Sequence, residues 1–462
     1  MRDAARRVRG SWQARAVGSS PPRCLSPGLG ALAPALATVL AGCLSTPGPA
    51  DPDGGGGGDG GDAAPRRCRP AGTLPTPTPW PPAGVVVRQV QVADVDGDGV
   101  DDLVITVAPE AARAAGAARV YVLYGPVAPG APAYHAVLDV GVEAAVIPWA
   151  TTLHDVDGDG CLDLTVAGPP VEGASRSFVA LWRHGGTATP WQGAPVRADL
   201  SREPFAGPVM AVWADLSTDS DLDLAVADLH DVDVFVGATL DAVPAALRAP
   251  RPGPGACDAW GNLNAVVRQP TAGGRDRLLA FGHYRHNSLV IDDGGTLLTS
   301  QDCTEVTARP ITRGVAALDL DGEAPLDLLS GGGGLVGAHL LAGPADPVSP
   351  LTGATACAAT PRGGDFIEGI AAGDLGGFAT PEVVLIDLDD PSGMSYACLL
   401  DAVDVDATRA IATATSETPL GPGVARAVVI GDVGGGPRVW IAMADGALRC
   451  LARGAAAVLE PC

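Results

Sequence analysis

The sequence contains no lysine: all 30 of its basic residues are arginine, against 53 aspartate and glutamate residues. Without lysine, a Walker A phosphate loop, a pyridoxal Schiff base and the ATP-site lysine of a protein kinase are all impossible. The formal net charge of −23 also argues against a surface for nucleic acid or anionic membranes, because both are bound by clustered Arg and Lys. We therefore expect no nucleic-acid partner.

Aromatic residues and helical periodicity are also scarce. Phe, Trp and Tyr make up 4% of the chain, whereas 62 Gly and 42 Pro residues are present. A chain of 462 residues is too long for one ordinary compact core, so several domains or a repeat architecture are expected. Many turns with few helical segments favour an all-β fold.

The first 42 residues predict a secretory signal. Six Arg fall within the first 23 residues, and an uncharged apolar stretch follows that is too short to span a bilayer comfortably. Its last residues, Leu-Ala-Gly followed by Cys43, resemble the bacterial lipobox. That resemblance implies cleavage before Cys43 and lipidation of its thiol, and an ordinary signal peptide is the alternative. We therefore expect export across the inner membrane and lipid anchoring at the bacterial cell envelope, on the outer membrane or the cell surface.

Residues 43–82 predict a tether. The stretch after Cys43 is rich in Gly and Asp with little to bury, and "TLPTPTPWPP" at 73–82 is typical of an extended polyproline spacer. Contact with a membrane is expected only through the N-terminal lipid.

Cysteine usage fits an oxidising compartment. Apart from Cys24 in the signal and Cys43, eight cysteines remain, and an even number suits disulfides. Their connectivity does not follow from sequence, although Cys257 with Cys303 and Cys357 with Cys398 would each close a loop inside one repeat. No CxxC pair or Cys/His cluster indicates zinc.

An acidic motif recurs along the chain at intervals of 50 to 61 residues. Its copies start at Asp94, Asp155, Asp215, Asp319, Asp374 and Asp432, and the double gap after Asp215 predicts a worn copy within residues 265–282, near Gln269. Each unit holds several β-runs, such as "VVVRQVQVAD", "LVITVAP", "ARVYVLYGP" and "AYHAVLDV" in the first. Seven units of this size predict a seven-bladed β-propeller of four-stranded blades over residues 83–462.

The loop pattern DxDGDGxxD predicts calcium binding within hairpins. Positions 1, 3, 5 and 9 offer side-chain oxygens and position 7 its carbonyl, and Ca²⁺ takes six to eight such oxygens. The predicted ligands of the first two copies are Asp94, Asp96, Asp98, Val100 and Asp102, then Asp155, Asp157, Asp159, Cys161 and Asp163. Those of the third and fifth copies are Asp215, Ser217, Asp219, Asp221 and Asp223, then Asp319, Asp321, Glu323, Pro325 and Asp327. We expect about four Ca²⁺ ions; the alternative is that these aspartates only solvate the turns.

An EF-hand begins with the same letters but needs a carboxylate at position 12 and a following helix. Position 12 is Ile105, Val166, Val226 or Ser330 here, inside β-rich runs. Together with the "YGP" at 124–126, these motifs resemble the FG-GAP/VCBS repeat family, whose members are similar to the integrin α-subunit propeller. The resemblance covers about residues 83–462 and implies calcium in successive hairpin loops.

Three functions remain open at the level of sequence. The resemblance implies a surface-anchored, calcium-stabilised binding or adhesion module for a protein or a glycan. The alternatives are an extracytoplasmic polysaccharide-active enzyme of the lyase type and an envelope scaffold. No catalytic constellation is visible in the sequence, so we expect no enzyme, and the oligomeric state does not follow from the sequence.

Overall fold

The computed structural model describes twenty-three segments of the chain. They are residues 68, 74–109, 117–143, 150–168, 178–187, 189–200, 208–217, 219, 221–228, 232–248, 263–270, 276–282, 286–291, 297–300, 314–318, 327–332, 335–340, 349–351, 365–376, 382–389, 393–406, 409–454 and 458–462. All of them belong to one compact unit, Leu36–Cys462. None of these residues is helical, so no helix long and apolar enough to cross a membrane occurs among them.

Thirty strands account for the regular structure of the described segments. The first six are β1 (Thr78–Pro79), β2 (Val85–Ala93), β3 (Asp102–Pro109), β4 (Ala117–Leu123), β5 (Ala133–Tyr134) and β6 (Ala136–Glu143). The next eight are β7 (Ala150–His154), β8 (Asp163–Gly168), β9 (Phe178–Trp182), β10 (Val196–Asp199), β11 (Pro208–Ala214), β12 (Asp223–Asp228), β13 (Val232–Phe235) and β14 (Leu247–Arg248). Then come β15 (Leu263–Pro270), β16 (Asp276–Gly282), β17 (His286–Ile291), β18 (Leu297–Ser300), β19 (Gly314–Leu318), β20 (Asp327–Gly332), β21 (Leu335–Leu340) and β22 (Ser349–Leu351). The last eight are β23 (Asp365–Gly373), β24 (Glu382–Asp389), β25 (Met394–Asp406), β26 (Arg409–Pro422), β27 (Ala425–Gly431), β28 (Arg438–Met443), β29 (Leu448–Arg453) and β30 (Leu459–Pro461).

These strands form antiparallel sheets of four, each made from consecutive parts of the chain. Within the described segments the sheets number seven, in the orders β2-β3-β4-β6, β7-β8-β9-β10, β11-β12-β13-β14, β15-β16-β17-β18, β19-β20-β21-β22, β23-β24-β25-β26 and β27-β28-β29-β30. The short strands β1 and β5 pair separately. The expected all-β fold of four-stranded units is confirmed, and β15 with β16 forms a hairpin where the worn copy was predicted.

The hydrophobic core lies between neighbouring sheets. Strands β8 and β9 are buried along their whole length, because both faces of their sheet are covered. One core cluster joins the first sheet to the second, and another joins the second to the third. A third joins the sixth to the seventh. The sequence produces this packing with long runs of Val, Ile, Leu and Ala, which fill the space between two sheets from both sides.

The first strands of successive sheets contact each other in a fixed order. Strand β2 contacts β7, β7 contacts β11, β11 contacts β15, β15 contacts β19, β19 contacts β23, and β23 contacts β27. Strand β27 also contacts β2, so the last sheet packs against the first. Each first strand is an edge strand of its own sheet.

The contact between the seventh and first sheets is tight. Trp80, which precedes the first sheet, donates its indole N–H to the carbonyl oxygen of Gly446 at 2.8 Å, and its ring is 6% exposed. Gly431 faces Val92 so closely that a Cβ at this position would overlap the valine side chain. The absence of a side chain at Gly431 therefore lets the two sheets approach each other.

Candidate metal centre

The loop that joins β2 to β3 is folded around the carboxylate of Asp94. The backbone N–H of Gly97 donates to Asp94 Oδ1 at 2.8 Å, and that of Gly99 donates to Asp94 Oδ2 at 2.8 Å. Gly97 and Gly99 have φ angles of 71° and 88°, in the left-handed region that glycine adopts at least cost. The first aspartate and the two glycines of the motif therefore shape the turn.

Three of the five predicted ligands in this loop converge. Asp94, Asp96 and Asp102 each offer an oxygen, and these oxygens lie within 4.8 Å of one another. Asp96 and Asp102 are almost fully buried. Three carboxylates this close repel each other, and oxygen donors of this kind suit Ca²⁺. The donor set therefore fits a calcium ion, while Asp98 lies outside the group and accepts the N–H of Val100 at 2.9 Å.

Asp102 also holds the loop to the rest of its sheet. Its Oδ2 accepts the N–H of Val95 at 2.9 Å, and its Oδ1 accepts the N–H of Gly125, just beyond β4, at 2.8 Å. Burial raises the pKa of Asp102 well above its ordinary value, and the negative charges of Asp96 and Asp94 add to this, although the N–H donors oppose it. A bound cation would favour the ionised form of Asp102, which is also the better acceptor for both N–H groups.

The loop between β7 and β8 repeats the arrangement with a different choice of ligands. Asp155, Asp157 and Asp159 each offer an oxygen within 4.8 Å of the others. The Asp155 carboxylate again organises the turn, because its Oδ1 accepts the N–H of Asp159 at 2.9 Å and its Oδ2 that of Gly160 at 2.8 Å. This second group also fits a calcium ion by the number and type of its donors.

Asp163, the ninth residue of the second loop, lies outside that group of three. It is 1% exposed and accepts the N–H of Val156 at 3.0 Å and the N–H of His184 at 2.7 Å. Burial raises the pKa of Asp163 to about 6, against the opposing effect of the two N–H donors. Its contacts match those of Asp102, so the ninth position is a structural link in both loops.

An arginine already neutralises part of the second loop. The guanidinium of Arg183 forms an ion pair with Asp157 through Nη1 and a longer one with Asp241 through Nη2, at 3.5 Å. The Arg183 side chain is half exposed. A cation that binds the second loop must therefore compete with Arg183 for the Asp157 carboxylate.

The third loop keeps the structural link but not the convergence. Asp223 is fully buried and accepts the N–H of Leu216 at 3.1 Å and that of Gly237 at 2.8 Å. The Ser217 hydroxyl donates to Asp219, which lowers the pKa of Asp219. In the described part of this loop, three acidic side chains do not come together.

Other predicted ligands are placed as follows. Asp215 donates its backbone N–H to Asp276 of the fourth sheet at 2.8 Å, and Asp221 is exposed. Asp327 is the first residue of β20. The predicted ligands of the fifth loop that lie outside the described residues are Asp319, Asp321, Glu323 and Pro325.

The sixth loop has the turn with few of the acids. Gly376 donates its N–H to Asp374 Oδ1 at 2.7 Å, and Leu375 donates its N–H to Glu382 Oε2 at 2.9 Å. Glu382 is fully buried and lies 3.5 Å from Arg453, measured from Oε1 to Nη1. Glu382 thus takes the place that Asp102 has in the first loop.

The seventh loop is built from one aspartate and three glycines. Asp432 Oδ1 accepts the N–H of Gly434 and that of Gly436, both at 3.0 Å. Asp432 also exchanges two hydrogen bonds with Asp101 of the first loop. The Asp101 N–H donates to the Asp432 carbonyl at 3.1 Å, and the Asp432 N–H donates to Asp101 Oδ2 at 3.0 Å. The loops of the last and first sheets therefore touch.

A disulfide that the sequence does not specify attaches the chain before the first sheet to the second acidic loop. Cys68 is bonded to Cys161 in the second loop, with their Cα atoms 5.5 Å apart. The Cys68 N–H also donates to the carbonyl of Asp96 in the first loop at 2.9 Å. These two contacts place Cys68 between the first and second loops, where it is 3% exposed. The even number of cysteines was the one signal for this bond, and it does not specify the partners.

Three further cysteines among the described residues are disulfide-bonded. Cys450 and Cys462 form a second disulfide within the last sheet. Cys398 is disulfide-bonded. The predicted pairing partners and lipidation site that lie outside the described residues are Cys43, Cys257, Cys303 and Cys357.

Comparison with known proteins supports the repeat assignment. Residues 86–123, which run from β2 through the first loop to the end of β4, match the model of the FG-GAP repeat. No curated protein sequence matches the chain significantly.

Several solved structures share the fold at low identity. A chain of the humanized mutant of the Chaetomium thermophilum Polycomb Repressive Complex 2 bound to the inhibitor GSK343 is 10% identical, with 81% of this chain and 96% of that chain covered and a TM-score of 0.50. BBS1N in complex with ARL6DN, soaked with mercury, is 12% identical, with 82% of this chain and 95% of that chain covered and a TM-score of 0.47. The Dos1 propeller is 9% identical, with 82% of this chain and 83% of that chain covered and a TM-score of 0.44. At these identities the likeness concerns the fold alone, and the described part of the chain is all-β and made of four-stranded antiparallel sheets.

Proposed function

We propose that this chain is a surface-anchored, calcium-stabilised propeller of seven blades that acts as a binding module for a protein or a glycan. The observation that carries the proposal is the FG-GAP match over the first sheet, together with two carboxylate groups in consecutive hairpin loops. Loops that recur at the end of each sheet together form a broad surface, which a partner can contact.

The cyclic order of contacts supports a closed ring. Each first strand contacts the next, and β27 contacts β2. Every four-stranded sheet is made from one stretch of the chain, so the ring would be closed by contacts between the first and last sheets rather than by a shared sheet. We therefore take residues 83–462 as one seven-bladed propeller.

Calcium would serve stability in this molecule. Asp94, Asp96 and Asp102 would hold an ion in the first loop, and the three aspartates of the second loop would hold another. A bound ion supplies positive charge that offsets the repulsion among the carboxylates. The third and fifth loops carry further acids of the motif, and if a cation draws together the third-loop acids, which do not converge in its absence, the total would be about four ions per chain.

Anchoring rests on the sequence before the described residues. Residues 1–42 would be removed as a lipoprotein signal, Cys43 would carry the lipid, and residues 43–82 would be the tether. Because Cys68 and Trp80 of this segment are attached to the sheets, the stretch before Cys68 would hold the propeller away from the cell envelope. Replacement of Cys43 by Ser should release the protein from the membrane fraction. Retention of the variant there, without an acylated N-terminal peptide in the wild type, would contradict the assignment.

The binding role can be tested with arrays of glycans and of extracellular proteins. The purified protein is applied in calcium and, separately, in chelator. We expect selective binding in calcium that weakens or disappears in chelator, since loosened hairpins no longer fix the loops that present the surface. Absence of selective binding on both arrays in calcium would contradict the proposed role.

A further inference from the structure

Three of the first strands carry a charged residue at a break in their hydrogen-bond register. In β2 the pairing with β3 skips one residue between Val87 and Gln89, which leaves Arg88 as the extra residue. The same shift leaves Arg426 as the extra residue in β27 and Glu368 in β23. All three stand six positions before the first aspartate of the following loop, so they hold equivalent places in their repeats.

The break is a β-bulge at which the strand changes the face it presents. Val87, before the break, belongs to the core shared with the seventh sheet. Gln89, after it, donates its side-chain N–H to the carbonyl of Thr151 in the second sheet at 2.8 Å. The residue between them sits at the edge of the sheet, and bulges commonly re-aim a side chain in this way. Arg88 therefore lies on the edge that borders the other first strands.

Arg88 and Arg426 bring two positive charges together on neighbouring strands. Strands β2 and β27 are in contact, and the Nε atom of Arg88 is buried without a hydrogen-bond partner. Burial lowers the pKa of Arg88, and the positive charge of Arg426 lowers it further. By contrast, Arg268 pairs with a carboxylate at 2.7 Å and Arg453 with another at 3.5 Å. Among the described residues, no carboxylate forms such a pair with Arg88.

We propose that Arg88 binds one oxyanion group of a ligand, a carboxylate or a sulfate, at the sheet edge that borders the other first strands, where the positive charge of Arg426 adds to the attraction. A guanidinium offers a planar fork of donors that matches both groups. The inference rests on the closed ring of the proposed function and names the chemical class of ligand that the binding module takes.

The surroundings restrict the ligand to a single negative group. Glu368 is buried at the equivalent place on the neighbouring strand β23, and it limits the positive region on that side. In the third and fourth sheets the equivalent residues are the uncharged Val209 and Asn264. The net charge of −23 also repels polyanions from the molecule as a whole.

Calorimetric titration of the purified full chain tests this site. Sodium sulfate and sodium glucuronate are the probes, measured in saturating calcium at constant ionic strength, with chloride and glucose as controls. We expect at least one of the two probes to bind, and the tighter one identifies the preferred group. Arg88→Gln should weaken that binding at least tenfold, whereas Arg119→Gln should leave it unchanged, because Arg119 is an exposed arginine of β4 beside Asp139.

Melting of the same variants separates binding from a structural role. In anion-free buffer, Arg88→Gln should melt no lower than the wild type, since it removes repulsion from Arg426. A lower melting temperature together with unchanged anion affinity would overturn the proposal, as would failure of the wild type to bind either probe. If Arg88→Gln does not fold, Arg88→Lys keeps the charge without the fork and should still bind more weakly. Calcium stoichiometry, measured in parallel, reports the metal loops independently of this site.

Discussion

The hairpin loops of the first two sheets and those of the last two share a turn but differ in acidity. Asp94 and Asp155 accept backbone N–H groups within their loops, and Asp374 and Asp432 do the same in theirs. The first two loops each add two further carboxylates within 4.8 Å. The last two replace most of the acids with glycine. The first aspartate of the motif therefore shapes the turn in all four loops, whereas the convergence of three carboxylates needs acids at further positions of the motif.

The ninth position of the motif carries an acid that the fold itself uses. Asp102 in the first loop and Glu382 in the sixth are both buried, and each accepts the N–H of the second residue of its loop, Val95 or Leu375. This bond persists where the other acids are lost, so it belongs to the fold. The third position, which is Asp96 or Asp157 in the first two loops and glycine in the last two, distinguishes the loops whose carboxylates converge from those whose acids are lost.

Removal of calcium should give the largest effect and should act only through the acidic loops. With dissociation constants of roughly 0.1 to 1 mM, about 1 mM free Ca²⁺ stabilises each site by roughly 0.4 to 1.4 kcal/mol, or about 2 to 6 kcal/mol for four sites. Calorimetric melting in calcium and in chelator measures the difference. An unchanged melting temperature would rule out a stabilising role for the metal.

Replacement of the ninth residue should destabilise both kinds of loop but change the ion count in one. Asp102→Ala leaves two buried N–H groups without an acceptor and should cost about 2 to 4 kcal/mol of unfolding free energy, with the loss of one ion. Glu382→Ala should cost about 1 to 3 kcal/mol and leave the ion count unchanged. Urea unfolding and metal analysis provide the two readouts. A lower calcium count in Glu382→Ala would refute the separation of the two roles.

Replacement of the third residue should change the response to calcium with little loss of the turn. Asp96→Asn removes one of three converging charges, so we expect about tenfold weaker calcium binding at the first loop, which is about 1.4 kcal/mol. In chelator the variant should be as stable as the wild type or more stable, because repulsion is reduced. Asp374→Asn in the sixth loop is the matched control and should alter neither quantity. Equal effects of the two variants in calcium titration would count against a site at the first loop.

The smallest effect should come from the arginine beside the second loop. Arg183→Gln removes the competitor for Asp157 and should tighten calcium binding there by about 1.4- to 5-fold, as expected for an exposed ion pair of about 0.2 to 1 kcal/mol. Titration calorimetry of the variant against the wild type measures this change. Weaker binding in Arg183→Gln would mean that the arginine supports the site instead of competing with it.

The sequence predicts the hairpins well because their determinants are local. The spacing of Asp94 and its glycines defines the turn, and the β-rich run around Ile105 defines the strand that follows. The bond from Gly125 to Asp102 spans 23 residues and the disulfide of Cys68 spans 93, so their partners depend on how the sheets pack. Which carboxylates of each motif converge could not be predicted from the sequence, because this too depends on how the sheets pack.

The Cys68–Cys161 disulfide determines how a pull on the N-terminal segment would enter the molecule. Strands β1 to β6 all lie within the 93-residue stretch that this bond closes. Tension applied before residue 68 takes the short covalent path to Cys161 and reaches the second sheet directly, so the first sheet is not peeled from its packing against the seventh. Under such a pull the load would enter at the second sheet, and the contact between the seventh and first sheets would stay out of the load path.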